Sequence, residues 1–260
     1  MKEKRTIYYS DELHEEFSEA EITPRRIDEN YPYFHGKLWD FCSLLIQNVF
    51  SMPIKLIYQK AKFHLKYVGR EKLKECRKKG YFIYGNHTQP FADTFIPSVA
   101  NYPHRNFFIV NPANVSMPGL HHLVEMLGAI PIPCDFGGMK HFMKAVEEKI
   151  RKNNSVTIYP EAHIWPYYTK IRPFEAVSFK YPVALDVPVY ALTNTYHQRK
   201  KGSDRVNIIT YIDGPFYPDK SLKPKERQQV LRNQVYECMV ERSRESDYEV
   251  ICYQKIEKKP

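Results

Sequence analysis

The chain has 260 residues, with 39 Lys/Arg against 30 Asp/Glu, a net charge of +9, and 43% hydrophobic and 14% aromatic residues. That length supports one sizeable core with room for a small annex. Five cysteines without CxxC spacing exclude a disulfide framework and read as reduced thiols of a cytoplasmic chain, and no His, Cys or carboxylate spacing fits a metal site.

Residues 1–37 read as a polar, loosely packed arm. The first thirty hold five Lys/Arg and nine Asp/Glu, and nothing there has the apolar centre of a secretory signal. Residues 38–62 differ. Asp40, Ser43, Gln47, Ser51, Lys55, Gln59 and Lys62 recur in steps of three and four and trace one narrow polar stripe on a helix. The remaining positions are almost all apolar, without the twenty-residue apolar run of a clear membrane span. Pro53 is expected to kink or split this helix. From Lys55 to Lys79 there are ten Lys/Arg against two Glu. Two readings stand at this point. Either the wide apolar face enters a lipid boundary, with Trp39 at headgroup level and the lysines on anionic lipid, or the helix packs that face on the protein core. Nucleic acid is not an expected partner, because no recognisable binding module accompanies the basic run.

Phe63 to Tyr67 alternate as a half-buried strand, and Arg70 to Lys79 form a charged helix stopped by Gly80. Further strands are predicted at Tyr81–Tyr84, Asn106–Val110, Ala129–Ile132, Ser155–Tyr159, Val187–Leu192 and Val206–Ile212. Helical patterns lie between them: one from Pro118 to Gly128, one along Met139, Phe142, Met143, Val146 and Ile150, one over Phe174–Leu185, and one along Val230, Leu231, Val235 and Met239. Strands alternating with helices predict an α/β layer fold.

Two strands end in polar clusters. Asn86-His87-Thr88-Gln89-Pro90-Phe91-Ala92-Asp93 follows the apolar run Tyr81–Gly85, and Tyr159-Pro160-Glu161-Ala162-His163 follows Ser155–Ile158. Strand ends that each carry His and a carboxylate point to one site at one sheet edge. A histidine beside a carboxylate is the minimum equipment for taking a proton from a hydroxyl.

Here the chain resembles the glycerolipid acyltransferases of the lysophosphatidic acid acyltransferase type. Asn86-His87 and Asp93 resemble their first motif, Gly128-Ala129-Ile130-Pro131-Ile132 the second, Tyr159-Pro160-Glu161 the third, and Val187-Pro188-Val189-Tyr190-Ala191-Leu192 the last. The resemblance covers about residues 38 to 215. It departs in three places: five residues rather than four separate His87 from Asp93, Ala162-His163-Ile164 replace Gly-Thr-Arg, and Cys134 stands where a phosphate-binding arginine is usual.

The resemblance implies a single α/β acyltransferase domain over residues 63–260, with a central mixed sheet flanked by helices, and an amphipathic helical annex ahead of it. It implies acyl transfer from acyl-CoA or acyl carrier protein to a lysolipid hydroxyl, most directly that of 1-acylglycerol-3-phosphate, with the acyl donor as substrate and no cofactor. The wide apolar face of residues 38–62 and the basic run that follows it predict a cytoplasmic chain held peripherally on a membrane surface, with anionic lipid as partner. His87 is the expected general base and Asp93 the group that orients it. Asn86 and Thr88 are expected to donate hydrogen bonds near the carbonyl oxygen. Glu161 either positions the acceptor or orients a basic side chain, or else it is a structural carboxylate that satisfies backbone N–H groups, and His163 is a further candidate. Lys170 and Arg172 are the nearest cations for an acceptor phosphate. Cys134 reads as a buried thiol, with a covalent role as the alternative. Pro90 fits the first position of a helix. If the extra residue lies in the loop before that helix, Asp93 stays in its first turn; inside the helix, it would swing Asp93 by about 100°.

Overall fold

The computed structural model describes residues 5–17, 22–200 and 205–256. In chain order the strands are β1 (Arg5–Tyr9), β2 (Lys66–Val68), β3 (Tyr81–Gly85), β4 (Asn106–Val110), β5 (Ala129–Pro131), β6 (Ser155–Ile158), β7 (Val189–Gln198), β8 (Val206–Phe216) and β9 (Ile251–Lys255). The helices are α1 (Lys37–Leu45), α2 (Ser51–Phe63), α3 (Ala92–Asn101), α4 (His121–Met126), α5 (Phe136–Arg151), α6 (Lys180–Leu185) and α7 (Pro224–Ser243). Seven strands form the central sheet in the order β2-β8-β7-β3-β6-β4-β5. Only the β7–β8 pair is antiparallel; the others are parallel. This is the mixed, helix-flanked α/β sheet expected from the sequence.

All five residues of β3 are buried, as a strand covered on both faces requires. Its side chains divide by the two-residue repeat of a strand. Phe82 and Tyr84 join a core with Val156, Ile158, Phe142 and Val146 of α5, and Leu231, Val235 and Met239 of α7. Tyr81 and Ile83 join the opposite core with Phe63, Ala92, Ile96 and Ala100. The chain leaves β3 toward β4 on one side and leaves β6 toward β7 on the other. The ends of β3 and β6 therefore open at a switch point of the sheet, where connections diverge and leave a crevice.

The segment before the sheet does not pack its wide apolar face on the core. Lys37–Phe63 is one helical run of 27 residues, long and apolar enough by length and composition to cross a membrane. The polar stripe faces the protein: Ser43, Gln47, Lys55 and Gln59 are each 4% exposed or less, while Phe50, Ile54 and Ile57 are 66%, 63% and 67% exposed. Ser43 Oγ and Gln47 Nε2 donate to the Met126 carbonyl at 2.6 and 2.9 Å, and Gln59 Oε1 accepts from Tyr67 at 2.8 Å. The helix is thus docked lengthwise by its polar side. Trp39 lies against His35 and His122 instead of standing free. The break expected at Pro53 falls earlier, as a π-helical turn over Ile46–Phe50. Proline lacks the N–H and crowds the carbonyl four residues back, and a wider turn just ahead of it absorbs both effects.

Several elements differ from expectation. The arm is not loose where it is described: β1 pairs in parallel with β9, and Tyr9 and Phe17 pack edge-on against the fully buried Trp165. The predicted strand at Phe63–Tyr67 shrinks to Lys66–Val68, because α2 runs on to Phe63 and closes on His64 in the left-handed conformation. Arg70–Cys76 is a 3₁₀ helix. The Phe174–Leu185 helix reduces to Lys180–Leu185 after a 3₁₀ turn.

Candidate active site

Strand β3 ends at Gly85, and the next three residues turn across the end of β6. Gly85 is required there by close approach: a Cβ at this position would lie 2.8 Å from the Tyr159 ring. That space lets Tyr159 stack on the His87 imidazole, with centroids 4.5 Å apart and planes 16° apart. The Tyr159 hydroxyl donates to the Asp93 carbonyl, which fixes the ring in place.

Helix α3 begins at Ala92, so Pro90 lies in the preceding turn and not at the first helical position. The extra residue between His87 and Asp93 is therefore taken up in the loop, and Asp93 sits in the first helical turn. Its Oδ2 lies 2.8 Å from His87 Nδ1. The same oxygen accepts from the backbone N–H groups of Thr88 and Gln89, each at 2.8 Å. Burial raises the Asp93 carboxyl above its ordinary value, opposed by the bonds to His87, Gln89 and Thr88. Three donors converging on one oxygen need an acceptor there. With Asp93 as acceptor, Nδ1 carries the imidazole proton and Nε2 presents a lone pair. Nε2 has no hydrogen-bond partner among the described residues, and the imidazole is 18% exposed. A hydroxyl brought to Nε2 can therefore pass it a proton.

The remaining expected residues divide. Glu161 is fully engaged with backbone: Oε2 accepts from the His87 N–H and Oε1 from the Arg172 N–H, both at 2.9 Å. Burial raises its carboxyl, opposed first by the nearby Arg172. Glu161 thus satisfies backbone N–H groups and clamps the backbone of His87, and it also lies 3.6 Å from the basic side chain of Arg172. Arg172 is a correction. Its side chain is fully buried, 3.6 Å from Glu161, donates to the carbonyls of Glu12 and His163, and lies over Trp165. With its side chain fully buried it is not open to an acceptor phosphate, though its Nε has no hydrogen-bond partner among the described residues.

Asn86 is a correction too: its amide both donates to and accepts from the Asn194 backbone, at 3.1 and 2.8 Å, tying β3 to β7. The Thr88 hydroxyl is buried and accepts from Tyr196 at 2.7 Å. Both side chains are buried, so neither is open to a substrate carbonyl oxygen. His163 is partly exposed beside Glu16, at 3.4 Å, and Lys170 is exposed. Cys134 is exposed, not buried.

Three contributors were missed by sequence reasoning. Asn194 directs Nδ2 toward Asp93 Oδ1 at 3.4 Å and accepts from Thr210 at 2.7 Å, and Tyr196 accepts from Gln89 at 3.2 Å. Asn194 and Tyr196 share one face of β7 by the two-residue repeat of a strand, but Thr193, Thr195 and His197 alternate with them, so no pattern in the sequence singles the pair out.

A family model described as Acyltransferase matches residues 64–195, which contain His87, Asp93, Glu161 and Asn194 but stop short of Tyr196 and Thr210. No curated protein matches the chain. Among solved structures, the 1-acyl-sn-glycerophosphate (LPA) acyltransferase PlsC from Thermotoga maritima superposes with a TM-score of 0.54 at 17% identity, covering 81% of this chain and 89% of that one. At that identity the likeness is one of fold.

Proposed function

The chain belongs to the acyltransferase family, and on that premise we propose that it moves a fatty acyl group from an acyl thioester, acyl-CoA or acyl carrier protein, to a lysophospholipid hydroxyl at a membrane surface, with His87 as general base. The observation that carries this reading is the free Nε2 of an imidazole whose other nitrogen is held by a buried carboxylate. The acceptor oxygen attacks the thioester carbonyl as Nε2 takes its proton. The tetrahedral intermediate then expels the thiolate, the C–S bond breaks, and the imidazolium returns the proton to sulfur. No enzyme nucleophile is needed.

The outward apolar face of α1 and α2 supports the membrane setting. Water-facing Phe, Ile and Leu at this density mark an interaction surface, and an interfacial helix buries just such a face in the headgroup boundary. The last turns of α2 meet the first turns of α3, where Tyr58 packs edge-on against Phe95 at 5.4 Å and Phe91 is exposed. The apolar face thus leads from the sheet's far edge toward the His87 loop, a path suited to acyl chains.

The acceptor we favour by resemblance is 1-acylglycerol-3-phosphate. A phosphate-free acceptor is the second reading, favoured by the burial of Arg172 and by the cysteine at position 134. The test is transfer of radiolabelled acyl groups to phosphate-bearing and phosphate-free lysolipids in anionic vesicles, with both donor types, for wild type and His87→Ala. Transfer that falls by 10³-fold or more, on the order expected for loss of a general base, supports the reading. Equal activity in the variant removes His87 as base. No transfer by folded wild type with either donor leaves a lipid-binding homologue without catalysis.

A further inference from the structure

A second site lies at the opposite edge of the sheet from His87. Arg105 precedes β4 and Asn154 precedes β6, both at the strand beginnings, whereas His87 follows a strand end. There a cavity of about 270 Å³ is lined by Asp40, Phe41, Leu44, Arg105, Phe107, Lys149, Lys152 and Asn154. It adjoins a smaller one that shares Asp40, Arg105, Phe107 and Lys149 and is also bordered by Trp39 and Glu125. The lining is amphipathic. Its rim, Phe41 and Leu44, belongs to the exposed apolar face of α1. Its wall brings Arg105, just before β4, together with Lys149 and Lys152 at the end of α5.

These cations are incompletely neutralised. Arg105 bonds to neutral partners, Gln47 Oε1 at 3.2 Å and Ser43 Oγ, and its guanidinium lies over Phe107. Lys149 is largely buried, with the Glu148 carboxylate at 3.5 Å, and its ammonium faces Phe107 at 5.3 Å. Lys152 lies between Glu148, at 2.6 Å, and Asp40, at 3.6 Å. Asp40 is the one carboxylate of the larger lining; Glu148 lies outside both linings, and Glu125 borders only the smaller cavity. Burial pushes both Arg105 and Lys149 below their ordinary values, which an incoming anion would reverse.

A cationic hollow rimmed by water-facing apolar side chains fits a phosphate joined to acyl chains. We infer that this groove between α1, the start of β4 and the end of α5 binds the headgroup phosphate of an anionic phospholipid, whose chains follow the exposed face of α1 into the bilayer. The inference deepens the membrane reading above and rests on it for orientation. It is independent of catalysis, because the groove shares no residue with the His87 site.

The test uses full-length protein and dihexanoyl phosphatidylglycerol kept below its critical micelle concentration, so that no bilayer is needed. Phosphatidylglycerol is anionic yet is not the product of the proposed reaction. Trp39 fluorescence reports binding, and Trp39→Phe serves as the signal control. Lys149→Gln/Lys152→Gln is expected to weaken binding tenfold or more, Lys149→Arg/Lys152→Arg to restore it, and dihexanoyl phosphatidylcholine to bind at least tenfold more weakly than phosphatidylglycerol. Activity on a monomeric short-chain acceptor should be unchanged in both variants. If the Gln pair fails to fold, the exposed Lys152→Glu carries the same comparison. Equal binding by wild type and variant overturns the inference, as does inorganic phosphate binding as tightly as the lipid. Loss of catalysis with headgroup binding intact sinks the proposed reaction alone.

Discussion

His87 is held at three points: its N–H by Glu161, its Nδ1 by Asp93 and its ring face by Tyr159. Of these Asp93 bonds the ring nitrogen itself, so it stabilises the imidazolium and sets the tautomer, while the Glu161 carboxylate acts on the His87 charge from further off. Asp93→Asn keeps the shape without the charge. Its kcat is expected to fall by about 10²–10⁴-fold with KM nearly unchanged, less than for His87→Ala. Stability should move the other way. A carboxyl raised by burial favours the fold below its ordinary range and disfavours it as pH rises through the folded value. Above the folded value the ionised Asp93 therefore costs stability, and there the asparagine variant should melt at or above the wild type. Melting several degrees lower would identify Asp93 as a structural acceptor first. The pair was legible in sequence because both partners sit in one short stretch after one strand. The duty of Glu161 was not, since its bonds reach back 74 residues to His87, and a side chain clamping backbone looks the same in sequence as one facing substrate.

At the scale of elements, periodicity located the helix of residues 38–62 and its polar stripe but left its orientation open. Hydrophobic patterning says which side chains share a face, not what that face meets. The answer lay in partners distant in sequence, the carbonyls of Met126 and Pro103 and the Tyr67 hydroxyl. The same limit hid β1 and β9, whose pairing joins the two ends of the chain. Inversion has a measurable consequence. Phe50→Asp/Ile57→Asp places charge where nothing packs, so urea unfolding should change by no more than about 1 kcal/mol for two surface substitutions. The same pair on a core-facing helix would cost several kcal/mol. Flotation with anionic vesicles should be lost. If instead the pair unfolds the protein, the face is buried in solution, and if flotation persists, it is not the membrane contact.

For the molecule as a whole, docking that helix by its polar side has set a lysine into the interface. Lys55 is 4% exposed, and burial alone pushes its ammonium down to about 8 from 10.5. Asp213 has the opposite sense: the Arg242 and Lys72 bonds hold its carboxyl below the ordinary value against desolvation. It joins β8 to α7 and to the 3₁₀ turn, and its contribution is present above the ordinary carboxyl range and lost as pH falls through the folded value. Lys55 acts at the alkaline end. Between about pH 8 and 10.5 the unfolded chain binds the Lys55 proton more tightly than the folded one, so stability rises with pH across that window. Below it the charged form is buried at full cost, roughly 3 kcal/mol for a shift of this size. Lys55→Met removes the charge and keeps the length. It should therefore stabilise the protein by about 2–3 kcal/mol at pH 7, with the gain shrinking above pH 8 and nearly gone by about pH 10.5. Urea unfolding of both proteins across that range reads it directly. A gain that stays constant with pH would assign the effect to packing, and a loss would mean that the ammonium holds a favourable contact in the fold.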